Sequence, residues 1–76
     1  MVARRSEAGE AEVLSYMREA AAGVRGRVIF HGRAVAQELG WPAEDAEFVM
    51  LRLVEKGAIE SYGGGYSLTG GAGRMN

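Results

Sequence analysis

What most limits the folds open to this chain is where its glycines stand. Gly23, Gly40 and Gly57 each fall just after a run with helical periodicity. Glycine ends helices cheaply because it enters the left-handed region without steric cost. Trp41-Pro42 follows Gly40 directly; proline bars the residue before it from the helical region and suits a helix start. The triplet Gly63-Gly64-Gly65 separates two short alternating segments, the pattern of a β-hairpin. The chain is thereby cut into helix-length pieces and a hairpin, and 76 residues leave room for one core at most.

Ser6 is placed as an N-cap, with Glu7 and Glu10 in the first turn, where carboxylates suit the helix dipole. A first helix is expected over about 7–22, burying Ala11, Leu14, Met17 and Ala21, with Val13 and Val24 beside them. Arg27-Val28-Ile29-Phe30 is β-branched and aromatic, so a short strand is expected there. Gly32 opens a second helix with Ala34, Val35 and Leu39 as its apolar positions, ended by Gly40. The third helix is expected from Pro42 to Lys56. Successive residues 100° apart set Ala46, Val49, Met50 and Leu53 on its core face, with Val54 at the margin. Segments 58–62 and 66–69 form the hairpin. The fold class is therefore α+β, with a flexible arm over 1–6, a domain over 7–69 and a glycine-rich flexible tail over 70–76.

Composition narrows the function classes. Hydrophobic residues make up 47% of the chain and charged residues 25%, as in ordinary globular proteins. No apolar run approaches the roughly 20 residues that cross a bilayer, and the two arginines near the start precede no apolar stretch, so neither a membrane span nor a signal peptide is expected. The absence of cysteine excludes disulfides and thiolate metal sites, and a cytoplasmic location is the expectation. The single histidine, His31, has no second histidine or cysteine with which to build a metal site of three or four ligands. The glycine triplet lacks the GKS/T ending and the following helix of a phosphate loop. No enzyme, cofactor or small-molecule substrate is expected.

Three stretches in order resemble the winged-helix superfamily. They are Val35-Ala36-Gln37-Glu38-Leu39-Gly40-Trp41, then Leu53-Val54-Glu55-Lys56-Gly57-Ala58-Ile59, then Tyr66-Ser67-Leu68-Thr69 followed by glycines. The likeness runs over about 13–73 and implies a winged helix-turn-helix: three helices, a short strand and a C-terminal hairpin wing. It also implies DNA binding, with a transcriptional regulator as the expected function. A narrower likeness, carried by the chain's short length, the Arg27–Phe30 stretch and Leu68-Thr69-Gly70-Gly71-Ala72-Gly73-Arg74, is to the small D protein family of dissimilatory sulfite reduction. That family is winged-helix and is regarded as regulating an enzyme. This chain has fewer aromatics and a shorter wing than that pattern.

Two surfaces follow from these readings. Arg25, Arg27, His31 and Arg33 cluster within 25–33, around the entry to helix 2, whose N-terminus is a natural phosphate site. Arg52 and Lys56 extend this nucleic-acid patch. Against it stand a net charge of −1, a wing tip without lysine or arginine, and Glu44, Asp45 and Glu47 at the start of the reading helix. Those acids also complement that helix's own N-terminus. The second surface is a partner or homodimer interface at Glu44, Phe48, Leu51, Arg52 and Glu55, where an apolar pair lies opposite the core face. Helix 1 or the N-terminal arm folding over Phe48 and Leu51 is the other reading of that pair. Tyr62 and Tyr66 are expected to pair across the hairpin.

Overall fold

A computed structural model of the chain describes residues 6–69. Helices α1 (Glu7–Ala21), α2 (Gly32–Leu39) and α3 (Ala43–Glu55) are followed by an antiparallel hairpin of β1 (Ile59–Tyr62) and β2 (Gly65–Leu68). The chain is thus α+β, three helices and then a two-stranded hairpin, a layout compatible with a winged helix. The arm before Ser6 and the tail expected over 70–76 lie outside the described residues.

Helix α3 forms the middle of the core. Its Ala46, Val49, Met50 and Leu53 are buried, as the 100° spacing requires. They meet Val13 and Met17 of α1, Val35 and Ala36 of α2, Trp41 from the turn, Phe30 from the α1–α2 loop and Ile59 of β1. Of the stripe expected on α1, Met17 is buried and Leu14 and Ala21 pack half-buried against the core, while Ala11 is exposed and Val13 is central rather than marginal. Gly9, Glu10, Val13 and Met17 are buried while Ala11 is exposed. Turning Val13 and Met17 inward removes more apolar area from water than turning Ala11 would, and that difference sets the rotation. Ala34 of α2 is exposed for the same reason, its place being taken by Val35 and Ala36. Val24, beyond the end of α1, is 52% exposed rather than part of the stripe.

The turn between α2 and α3 is built as the sequence predicts, with a one-residue shift. Gly40 has φ +72°, and the Trp41 N–H donates to the Ala36 carbonyl at 2.9 Å, which closes α2 with a Schellman-type cap. Pro42 is the N-cap of α3 and not its first residue; its carbonyl accepts from the Asp45 and Ala46 N–H groups.

The expected strand over 27–30 is reduced to one residue. Only Phe30 pairs with β2, exchanging hydrogen bonds with Tyr66 at 2.7 and 2.8 Å. Before it the chain leaves the sheet edge, because Arg27 turns over the hairpin to reach Glu60 and Ser67. The separation opens a cleft of about 250 Å³ between Val28, Phe30 and Leu68.

The glycine triplet divides its labour. Gly63 and Gly64, at φ +59° and +83°, form the two-residue tip that joins Tyr62 to Gly65 in register, a turn that needs positive φ at both positions. Gly65 is already in β2, and it is glycine for space. A Cβ there would stand 2.7 Å from both the Phe30 carbonyl oxygen and Ile29 Cγ2.

Candidate binding surfaces

Helical spacing and contacts together orient α3. Glu10 of α1 receives Lys56 Nζ at 2.7 Å and Arg52 Nε at 3.7 Å, so the Arg52–Lys56 edge of the helix turns toward α1. On the opposite edge Glu47 leans on α2: a Cβ at Gly32 would meet Glu47 Cγ at 2.9 Å and its Oε2 at 3.6 Å. Between these edges, with the core behind, lies the outward strip of Glu44, Phe48, Leu51 and Glu55.

The strip is not uniformly exposed. Leu51 is 54% exposed, and Glu44 and Glu55 are exposed with it. Phe48 departs from expectation: it is half-buried and packs against the core cluster. Its ring is long enough to reach the core from a flank position, where burial of aromatic area outweighs a place in water. The expected apolar pair is therefore one open leucine beside a phenylalanine shared with the core. Arg52, expected in both surfaces, faces Glu10.

The nucleic-acid patch separates into engaged and open cations. Arg27 donates to Glu60 Oε2 at 2.6 Å and to Ser67 Oγ at 2.8 Å, and its guanidinium lies 4.1 Å from the centre of the Tyr62 ring. Tyr62 thus stacks on Arg27, and its register partner across the hairpin is Gly65 rather than Tyr66. The hydrogen bond to Glu60 raises the Arg27 pKa above its ordinary value. The raised pKa keeps Arg27 cationic throughout the neutral range and up into strong alkali, so the contact is constant through the neutral range. With both ionic groups about two-fifths exposed, the pair serves mainly to hold the 27–30 segment against the hairpin.

Lys56 and Arg52 are engaged in the same sense. Glu10 is 6% exposed, and its two oxygens take one cation each. Burying a carboxylate costs free energy unless it is paired, and Lys56 and Arg52 supply the partners. Three of the cations expected to grip phosphate therefore already face carboxylates of this chain. Arg25, His31 and Arg33 are exposed and have no ion-pair partner among the described residues.

Even the helix-end phosphate site is altered. The N-terminus of α2 carries the partial positive charge that attracts phosphate. The Glu47 carboxylate leaning on Gly32 supplies negative charge there from within the chain.

The neutralising residues were not singled out as partners in the sequence. Glu10 and Glu60 each read as an isolated acid, because their cations stand 46 and 33 positions away. The only local signal is that Glu10 falls on the buried face of α1 once the register is set by Val13 and Met17.

Among the described residues no group of three histidines, cysteines, aspartates or glutamates is placed to hold a metal ion. No described helix is long and apolar enough to cross a membrane. No protein-family model, curated protein or solved structure matches this chain.

Proposed function

We propose that this chain is a winged-helix protein-interaction module that meets its partner through the outer face of α3. The observation that carries this reading is the composition of that face. Leu51 stands in water on the helix that would read DNA, flanked by Glu44 and Glu55 with Glu47 at the edge. Three carboxylates on one face raise the cost of approaching a phosphate backbone, whereas an open leucine with a charged rim is how protein contacts are built. Winged-helix domains that read DNA need cations on the reading helix or wing. Here the cations of α3 are turned to Glu10, and the wing tip is Gly63-Gly64.

A second reading has its own support. Arg25, His31 and Arg33 stay exposed around the entry to α2, where a small transcriptional regulator would hold the DNA backbone. The two readings separate on salt. Affinity for a random-sequence duplex, followed by fluorescence anisotropy across a salt series, is expected to be no tighter than the non-specific range of roughly 10⁻⁴–10⁻⁶ M near physiological salt. Tighter binding with a steep salt slope that flattens on Arg33→Ala would make the chain a DNA-binding protein and overturn the interaction reading.

A further inference from the structure

Resting on that reading of α3, we propose that the partner of this face is a second copy of the same chain, related by a two-fold axis through Leu51. A two-fold contact requires one continuous surface to carry both a feature and its complement. This surface does. The acidic strip of α3 adjoins the open cations at the start of α2, the two meeting where Glu47 leans on Gly32. His31 and Arg33 flank that glycine and are exposed, with no ion-pair partner among the described residues.

The helix geometry then fixes what faces what. With Leu51 on the axis and the two α3 helices antiparallel, a residue four places after Leu51 lies opposite the residue four places before it in the other copy, about 6 Å along the helix from the axis. Glu55 of one copy therefore comes to the Glu47–Gly32 corner of the other, beside Arg33. The mutual repulsion of Glu55 and Glu47 is offset by Arg33, and the arrangement occurs twice. Leu51 meets its own image and leaves water.

Two further features suit a second copy. The net charge is −1, so like molecules do not repel one another at a distance. A standard contact buries about 800 Å² per partner, roughly a sixth of this chain's 4863 Å², which the α2–α3 side can supply. With one open leucine at its centre the contact is expected to be weak, with a dissociation constant in roughly the micromolar range or above.

The test is a charge exchange read by sedimentation from about 10 μM to 1 mM. The native chain is expected to shift from monomer to dimer mass over that range. Arg33→Glu alone puts a further carboxylate beside Glu47 and the incoming Glu55, twice, and is expected to weaken dimerisation about tenfold or more, whereas Glu55→Arg alone exchanges repulsion by Glu47 for repulsion by Arg33 and is expected to change it less. An equimolar mixture of the two variants restores both opposite-charge pairs and is expected to recover native association. A mixture of Arg33→Glu with Glu12→Arg, which changes an exposed residue of α1 and keeps the native α2–α3 surface, is expected to show dimers of the Glu12→Arg chain and fewer dimers overall than the exchange mixture. Dimers that survive Arg33→Glu unweakened, or an exchange mixture no better than the Glu12→Arg control, would overturn the proposal. A native chain monomeric to 1 mM would overturn the second copy as occupant. Since the interaction reading of α3 fails on how and where DNA binds, and not on the mass of the native chain, the two failures are distinguishable.

Discussion

Leu51 and Leu53 are two residues apart on the same helix and live in opposite worlds. Leu53 is 2% exposed and belongs to the core cluster to which all three helices and the hairpin contribute; Leu51 is 54% exposed and has an acidic rim. The inner face of α3 is decided by area: Ala46, Val49, Met50 and Leu53 gain more from leaving water than any alternative rotation of the helix allows. The outer face is decided by charge, and by which charges the rest of the chain removes. Glu10 takes Arg52 and Lys56 from it on one side, and Glu47 leans toward α2 on the other. One helix thus holds the fold together with one side and offers a surface with the other.

Breaking the inner side should cost most. Leu53→Ala removes a buried side chain from the point where α3 meets the rest of the core, and a loss of about 2–5 kcal/mol is expected in denaturant titration. That is a large share of the stability open to a domain of this size. A loss below about 1 kcal/mol would mean that the inner face is not the core.

Gly65→Ala comes next. Its methyl would press on the Phe30 carbonyl, which is backbone and cannot turn aside. A loss of about 1–3 kcal/mol is expected, read from the thermal melt, with the Phe30–Tyr66 amides losing protection in hydrogen exchange before those of α3.

Glu10→Gln sharpens the contrast between the two sides by returning charge to the outer one. It removes a buried acid whose partners are nearly half exposed, so a stability loss of only about 1 kcal/mol is expected. The same change frees Arg52 and Lys56 and should strengthen duplex DNA binding at low salt by a few-fold. Unchanged DNA affinity would mean that Glu10 does not suppress these cations.

Leu51→Ser is the smallest in stability, within about 0.5 kcal/mol, since the side chain already stands in water. A large loss in the melt would place Leu51 in the core and remove the outer face as a surface. A matching change at Phe48 is a poorer probe, because its half-buried ring also supports the core.

The helices and the hairpin were legible because their signals are local. Periodicity, the Gly40-Trp41-Pro42 join and the glycine tip each act within a few residues. The core face of α3 followed from the same spacing. On α1 Leu14, Met17 and Ala21 face the core as their spacing implies, but the central place of Val13 and Glu10 and the exposure of Ala11 were not legible, because a shift of some tens of degrees in the stripe is set only by the partner surface. The Arg27 strap was not legible either: a β-branched run reads as a strand unless one knows that Glu60 and Ser67 draw its first residue away. The candidate surfaces suffered most. Which cations are open and which are engaged depends on pairings 33 to 46 positions apart, and no local pattern encodes them.

An amide chemical-shift map of the native chain titrated with duplex DNA at low salt shows whether the outer face of α3 meets protein, as proposed, or phosphate. Any shifts are expected to stay around Arg25, His31 and Arg33, which are exposed near the start of α2, while the amides of Glu44, Phe48, Leu51 and Glu55 keep their positions. Saturable shifts along those four α3 residues, moving together with the arginine amides, would put DNA on the face assigned here to protein and contradict the account.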